Sequence, residues 1–194
     1  MDLKERTYSV LVVSAAEKLN TALLSFLPES RYQPVRFVSS VSEGKRAWSE
    51  QSFDFLVINS PLPDESGVRF AIDASDTKGT VVLLLVRAEF CDEIRDKVME
   101  YGIFTLAKPL SGPLLTLSLS WMESARERLK KMEKKSLSIE EKIEEIRLVN
   151  RAKWLLISEL KMDEQQAHRY VEKQAMDRCV SRRDVAEEII RTYA

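Results

Sequence analysis

Three patterns predict the fold class. Strand and helix signals alternate across residues 1–112, apolar residues repeat in heptads over 113–150, and three short amphipathic segments fill 145–194. Together they predict a flavodoxin-like α/β domain, a coiled-coil helix and a small three-helix bundle. Tyr8–Val13 (YSVLVV) is an apolar, valine-rich run that suits a strand. Glu17–Leu27 places Leu19, Leu23, Leu24 and Leu27 at helical spacing. Val35–Val38 reads as a short strand, and Ser42–Gln51 as a helix carrying Ala47 and Trp48. Phe55–Ile58 is apolar throughout, as in a strand covered on both faces. Val68–Asp76 is helical, Thr80–Val86 is a strand, Asp92–Tyr101 a helix and Phe104–Ala107 the last strand. This βαβα order implies a parallel sheet whose sites lie at the C-terminal ends of the strands.

The second part predicts one long helix. Leu115, Met122, Leu129, Ser136, Ile143 and Asn150 fall seven apart, as do Ser118, Ala125, Met132, Ile139 and Ile146. The two series interleave by threes and fours, which is an a/d seam. The reading is a two-chain coiled coil, with Leu115, Met122, Ala125, Leu129, Met132, Ser136, Ile139, Ile143, Ile146 and Asn150 on the dimer seam. The alternative is a single amphipathic helix packed on its own domain. Ser138-Ile-Glu-Glu141 resembles a capping box, but the unbroken register argues against a restart near Ser136.

Helix-forming sequence continues through Arg151–Leu160. Asp163 with Gln166 forms a capping box for a second helix carrying Ala167, Tyr170, Val171, Ala175 and Met176. Ser181 caps a third, with Val185, Ala186, Ile189 and Ile190 on one face. Met176 is expected in the core and His168 on a helix surface.

Composition excludes several classes. With 44% hydrophobic and 31% charged residues in 194, a packed core is available and wholesale disorder is not expected. The longest apolar run, Thr80–Val86, falls far short of the roughly 20 residues a bilayer demands. The opening MDLKERTYS lacks a signal-peptide apolar stretch, which points to the cytoplasm. Cys91 and Cys179 are far apart and one histidine stands without a Cys/His cluster, so no metal and no cofactor are expected. No phosphate-binding glycine loop or nucleophile elbow suggests an enzyme. Residues 1–122 carry 13 basic and 16 acidic residues, 123–150 carry 8 and 7, and 151–194 carry 9 and 8. No segment is strongly basic, so nucleic acid would need a local patch.

The loop Asn59-Ser-Pro-Leu-Pro-Asp-Glu-Ser-Gly67, the run FDFLVIN beginning before it, and Lys108-Pro109 after the last strand resemble the receiver domain of bacterial response regulators. That family uses two acidic residues after the first strand and an aspartate ending the third. Here these positions are Ser14, Ala15 and Asn59, and the hydroxyl position after the fourth strand is Val86. Aspartyl phosphorylation needs a carboxylate nucleophile and hard oxygen ligands for a divalent cation. The resemblance therefore implies a degenerate pocket of Ser14, Ala15, Asn59, Val86 and Lys108, a pseudo-receiver. Lys108 is expected to pair with Asn59 or a backbone carbonyl, or else to keep a residual ligand contact.

The C-terminal part resembles the ANTAR domain, an RNA-binding module of transcription antiterminators. The resemblance rests on Arg151-Ala-Lys153, Ala167, Ala175-Met-Asp177 and Arg183-Asp-Val-Ala186, with Trp154 standing where the family usually has a small residue. It implies binding to paired leader-transcript hairpins that prevents terminator formation. Cations for RNA phosphates are Arg151, Lys153, Arg169, Lys173, Arg178, Arg182 and Arg183, with Ala152 and Ala175 allowing close approach or else packing in the core. Arg182 and Arg183 sit in the first turn of the third helix, whose free N–H groups suit a phosphate. Expected partners are RNA, a second copy, and a regulatory protein or small ligand at the α/β domain. The competing reading is a dimeric protein-interaction adaptor that binds no nucleic acid.

Overall fold

The structure is a computed structural model that describes residues 7–77 and 79–193. The first six residues of the opening MDLKERTYS lie outside the described residues. The chain divides into two compact units, 1–133 and 134–194. Among the described residues, no helix is long and apolar enough to cross a membrane.

The first unit is a five-stranded parallel sheet in the order β2-β1-β3-β4-β5. The strands are β1 (Tyr8–Val13), β2 (Tyr32–Val38), β3 (Phe55–Asn59), β4 (Val81–Arg87) and β5 (Phe104–Lys108). Side chains alternate across the sheet with period two. Leu11, Val13, Leu56, Ile58, Val82, Leu84 and Val86 face one core, under α2 (Val41–Glu50), α3 (Val68–Ser75) and α4 (Cys91–Val98). Val10, Val12, Phe55, Val57, Leu83 and Leu85 face the other, under α1 (Glu17–Phe26) and the start of α5 (Gly112–Leu160). Double coverage explains why the central strands are continuous apolar runs.

The strand β2 begins three residues earlier than the Val35 the sequence suggests. It lies at the sheet edge, and Pro34 falls where the register against β1 shifts between the Tyr8–Tyr32 and Val10–Val35 pairs, both settings that tolerate proline. The fourth helix is shorter than read: α4 ends at Val98, and Met99–Tyr101 forms a tight turn closed by Gly102 at φ 69°.

The helix α5 is one uninterrupted element of 49 residues, so no restart occurs at Ser138. Its first half corrects the dimer reading. Leu115, Ser118 and Met122 are buried, and Ala125 and Leu129 pack partly buried against the same core as the sheet. Spacing by threes and fours makes a stripe suited to a sheet as well as to another helix, and here the sheet takes it. Met132, Ile139, Ile143 and Ile146 are about half exposed, at 57%, 47%, 45% and 59%. Ser136 and Asn150 are exposed as well.

Polar contacts fasten α5 to the opposite edge from the strand ends. Asp54, just before β3, accepts from the Ser9 amide at 3.0 Å, the Ser9 hydroxyl at 3.1 Å and Arg126 Nε at 2.7 Å, with Lys130 Nζ at 3.6 Å. Arg126 also approaches Glu133 at 3.5 Å. Gly79, at φ 86°, passes so close that an added Cβ would collide with the Glu133 carboxylate and the Arg126 guanidinium. Burial works against the Asp54 charge, but the Ser9 amide, Arg126 and Lys130 outweigh it and hold the carboxyl below its ordinary value.

The second unit comprises α5 from residue 134, α6 (Glu164–Arg178) and α7 (Arg182–Tyr193). Its core is Ala152, Leu156, Ala167, Val171, Ala175, Val185, Ala186 and Ile189. The box at Asp163 forms as read: the Gln166 amide donates to Asp163 at 2.7 Å, and the Asp163 amide donates to Gln166 Oε1 at 3.0 Å. Cys179 closes α6 in the left-handed region at φ 53°.

Arg126→Met should cost about 2–3 kcal/mol in urea unfolding at neutral pH, because it leaves a carboxylate with only 17% side-chain exposure short of its main partner. Since the folded pKa of Asp54 is depressed, this stabilisation is complete above the unfolded carboxyl value near ~3.9 and vanishes as pH falls through the folded value. The gap between parent and variant should therefore close in acid.

Candidate nucleic-acid interface and strand-end pocket

Parallel strands bring the ends of β1, β3 and β5 to one edge, which unites Ser14, Asn59 and Lys108. Asn59 uses both ends of its carboxamide: Oδ1 accepts from Lys108 Nζ at 2.7 Å, and Nδ2 donates to Ser14 Oγ at 3.1 Å. Lys108 donates also to the Ser60 carbonyl at 2.6 Å. Ser14 Oγ accepts from the Ala16 amide at 3.3 Å. Ser14, Asn59 and Ser60 are buried, with relative exposures of 2%, 7% and 5%. Burial first and the Arg87 charge second push the Lys108 ammonium below its ordinary pKa.

Two of the five predicted pocket residues stand apart from this network. Ala15 is exposed, and Val86 is packed into the core beneath α2–α4. None of the five carries a carboxylate. The network sets one ammonium against neutral acceptors. Among the described residues there is no group of three or more His, Cys, Asp or Glu placed to hold a metal ion. Asp64, which sequence reasoning passed over, caps α2 by accepting from the Val41 and Ser42 amides at 3.0 and 2.9 Å. Those two amides pull its carboxyl down to about 2. Its acidic side chain in a proline-flanked loop was the available signal.

In the second unit the seven predicted cations separate into two sets. Lys153 meets Glu164 at 2.6 Å, Arg178 meets Glu188 at 2.6 Å, Arg182 meets Glu145 at 3.2 Å and Arg183 meets Glu187 at 2.8 Å. Arg151, Arg169 and Lys173 are exposed and make no ion pair among the described residues. Arg169 and Lys173, four apart on α6, share a face. Lys153 and Arg182 come together at one groove with Asn150 and His168.

Three expectations need correction. Ala152 is fully buried and Ala175 is 8% exposed, so both pack in the core and Ala152 offers RNA no surface. Met176, expected inside, is 77% exposed because Ala175 takes the inward position one residue earlier. The start of α7 is already occupied by an anion: Asp184 accepts from the Ser181 amide at 3.0 Å and hydroxyl at 2.6 Å, while the Asp184 amide donates to Ser181 Oγ at 3.1 Å. A phosphate there would face that carboxylate. Trp154 is 72% exposed and joins no core cluster, and His168 lies on the surface 3.3 Å from Glu172.

The fold of the first unit has relatives of known structure. A signal receiver domain of an HD domain-containing protein from Pseudomonas fluorescens Pf-5 superposes with a TM-score of 0.58 at 18% identity, covering 68% of this chain and 96% of that one. A response regulator receiver domain protein from Clostridium thermocellum gives 0.55 at 22% identity, covering 64% and 98%. Residues 138–190 match the ANTAR domain. The chain therefore carries an ANTAR domain, preceded by a unit with the fold of a receiver domain. The ANTAR match takes in the end of α5, all of α6 and most of α7. The transcriptional regulatory protein PdtaR of Mycobacterium tuberculosis is 24% identical over 187 residues, covering 94% of this chain and 89% of that protein.

Lys108→Met should leave the Asn59 and Ser60 acceptors buried without a donor. Unfolding by urea should then show a loss of about 1–3 kcal/mol, despite removal of a half-buried charge.

Proposed function

We propose that this ANTAR-type transcription regulator binds hairpins in leader transcripts through its C-terminal unit and prevents terminator formation. It does so in the cytoplasm as a homodimer whose α/β unit takes no phosphoryl group. The observation that carries this reading is the ANTAR match over 138–190, on a unit that presents Arg151, Arg169 and Lys173 exposed and without carboxylate partners. Such cations give up little on meeting phosphate, whereas the paired ones must first lose a carboxylate. The half-exposed series Met132, Ile139 and Ile143, with the exposed Ser136, supports a paired helix over 132–143. Two joined RNA modules would hold two hairpins with added avidity.

The strand-end pocket supports a pseudo-receiver. A carboxamide is a poor nucleophile toward a phosphoryl donor, and Ser14, Ala15 and Asn59 offer no anionic oxygen for a divalent cation. Control then falls to a partner protein or small ligand at the α/β unit, or to abundance. Incubation with acetyl phosphate and magnesium should give no mass gain on the intact chain. Stoichiometric labelling would overturn this part of the reading.

Crosslinking to cellular RNA followed by sequencing should recover structured leader transcripts. With such an RNA, a variant carrying Arg151→Ala, Arg169→Ala and Lys173→Ala should bind at least about tenfold more weakly in gel shift. Its salt slope should fall by about 2–3. Absence of RNA binding by the parent at low salt would favour the adaptor reading.

A further inference from the structure

A groove of about 170 Å³ lies between α5, α6 and α7 of the C-terminal unit. Ile146 and Val149 supply its apolar lining, and Asn150, Lys153, His168 and Arg182 supply the polar groups. Each basic side chain rests against one carboxylate: Lys153 on Glu164 at 2.6 Å, Arg182 on Glu145 at 3.2 Å, and His168 by Glu172 at 3.3 Å. The Asn150 carboxamide makes no hydrogen bond among the described residues.

We infer that this groove is a nucleotide subsite, taking one unpaired nucleotide of the bound RNA. The inference rests on the RNA-binding reading and gives it a location. An unpaired nucleotide has an apolar face, a polar edge and a phosphodiester, and the groove offers a counterpart to each. The base lies over Ile146 and Val149, whose aliphatic groups match its face. Asn150 meets the base edge, because a carboxamide both donates and accepts. The phosphodiester replaces Glu145 on Arg182 and Glu164 on Lys153, one anion displacing two. That exchange yields little net electrostatic gain, so the groove selects nucleotides more than it adds affinity. The unpaired cations Arg151, Arg169 and Lys173 carry the attraction.

The sole histidine of the chain, His168, lines this groove, so its imidazole Hε1 signal in proton NMR would be assigned without ambiguity. With the full chain and the hairpin RNA recovered by crosslinking, that signal should shift on titration. Asn150→Ala should weaken binding about tenfold with the salt slope unchanged, since a neutral group is lost. Glu145→Gln should tighten binding about threefold by releasing Arg182 from its carboxylate. RNA retention with an unmoved His168 signal and parental affinity in Asn150→Ala would overturn the groove and leave the RNA reading standing. No RNA binding by the parent would overturn both. Ile146 and Asn150 also fall on the heptad series. A loss of dimer mass by sedimentation in Asn150→Ala, with an unmoved His168 signal, would assign the groove to a second copy and overturn the inference.

Discussion

The attachment of α5 to the sheet governs how the long helix is used. Leu115, Leu119 and Met122 are buried beneath β1, β3 and β4, and the half-buried Asp54 carboxylate holds Arg126 at 2.7 Å. The apolar contacts supply the area removed from water, and the ion pair supplies direction. Both draw on the same heptad stripe that would otherwise pair two chains. What remains exposed begins at Met132, close to where the first compact unit ends. One unbroken register therefore serves an intrachain core first and a half-exposed seam afterwards.

Charge is treated differently in the two units. At the strand ends, Lys108 faces an amide oxygen and a carbonyl, and the Asn59 carboxamide relays the contact to Ser14. Every group has a partner and none is an anion, so the pocket is satisfied by itself. In the C-terminal unit, acidic residues neutralise cations one by one, so 9 basic and 8 acidic residues over 151–194 still leave Arg151, Arg169 and Lys173 without an ion pair among the described residues. Net charge conceals these three because Glu164, Glu188 and Glu187 of the same segment, with Glu145 before it, pair with Lys153, Arg178, Arg183 and Arg182.

Much of the fold was legible in the chain. The apolar runs of β1, β3 and β4, the capping boxes at Asp163 and Ser181, and the continuity of the long helix follow from local rules about periodicity and orphan amides. Less of the candidate site was legible. Met176 and Ala175 are neighbours, and a shift of one residue turns a helical side chain by about 100°, which decides core or solvent. Proline in β2 hid the first residues of an edge strand, since edge position is a property of the sheet and not of the segment.

The sequence by itself determined the alternation of strands and helices, the heptad register over residues 115–150, and the absence of carboxylates at Ser14, Ala15 and Asn59. These are properties of residue type and spacing along the chain. The tertiary structure decided which half of the register the sheet covers, and which cations are free. A stripe of apolar residues specifies a face without naming its partner. An ion pair such as Arg182 with Glu145 joins residues on different helices, so it exists only once those helices have packed.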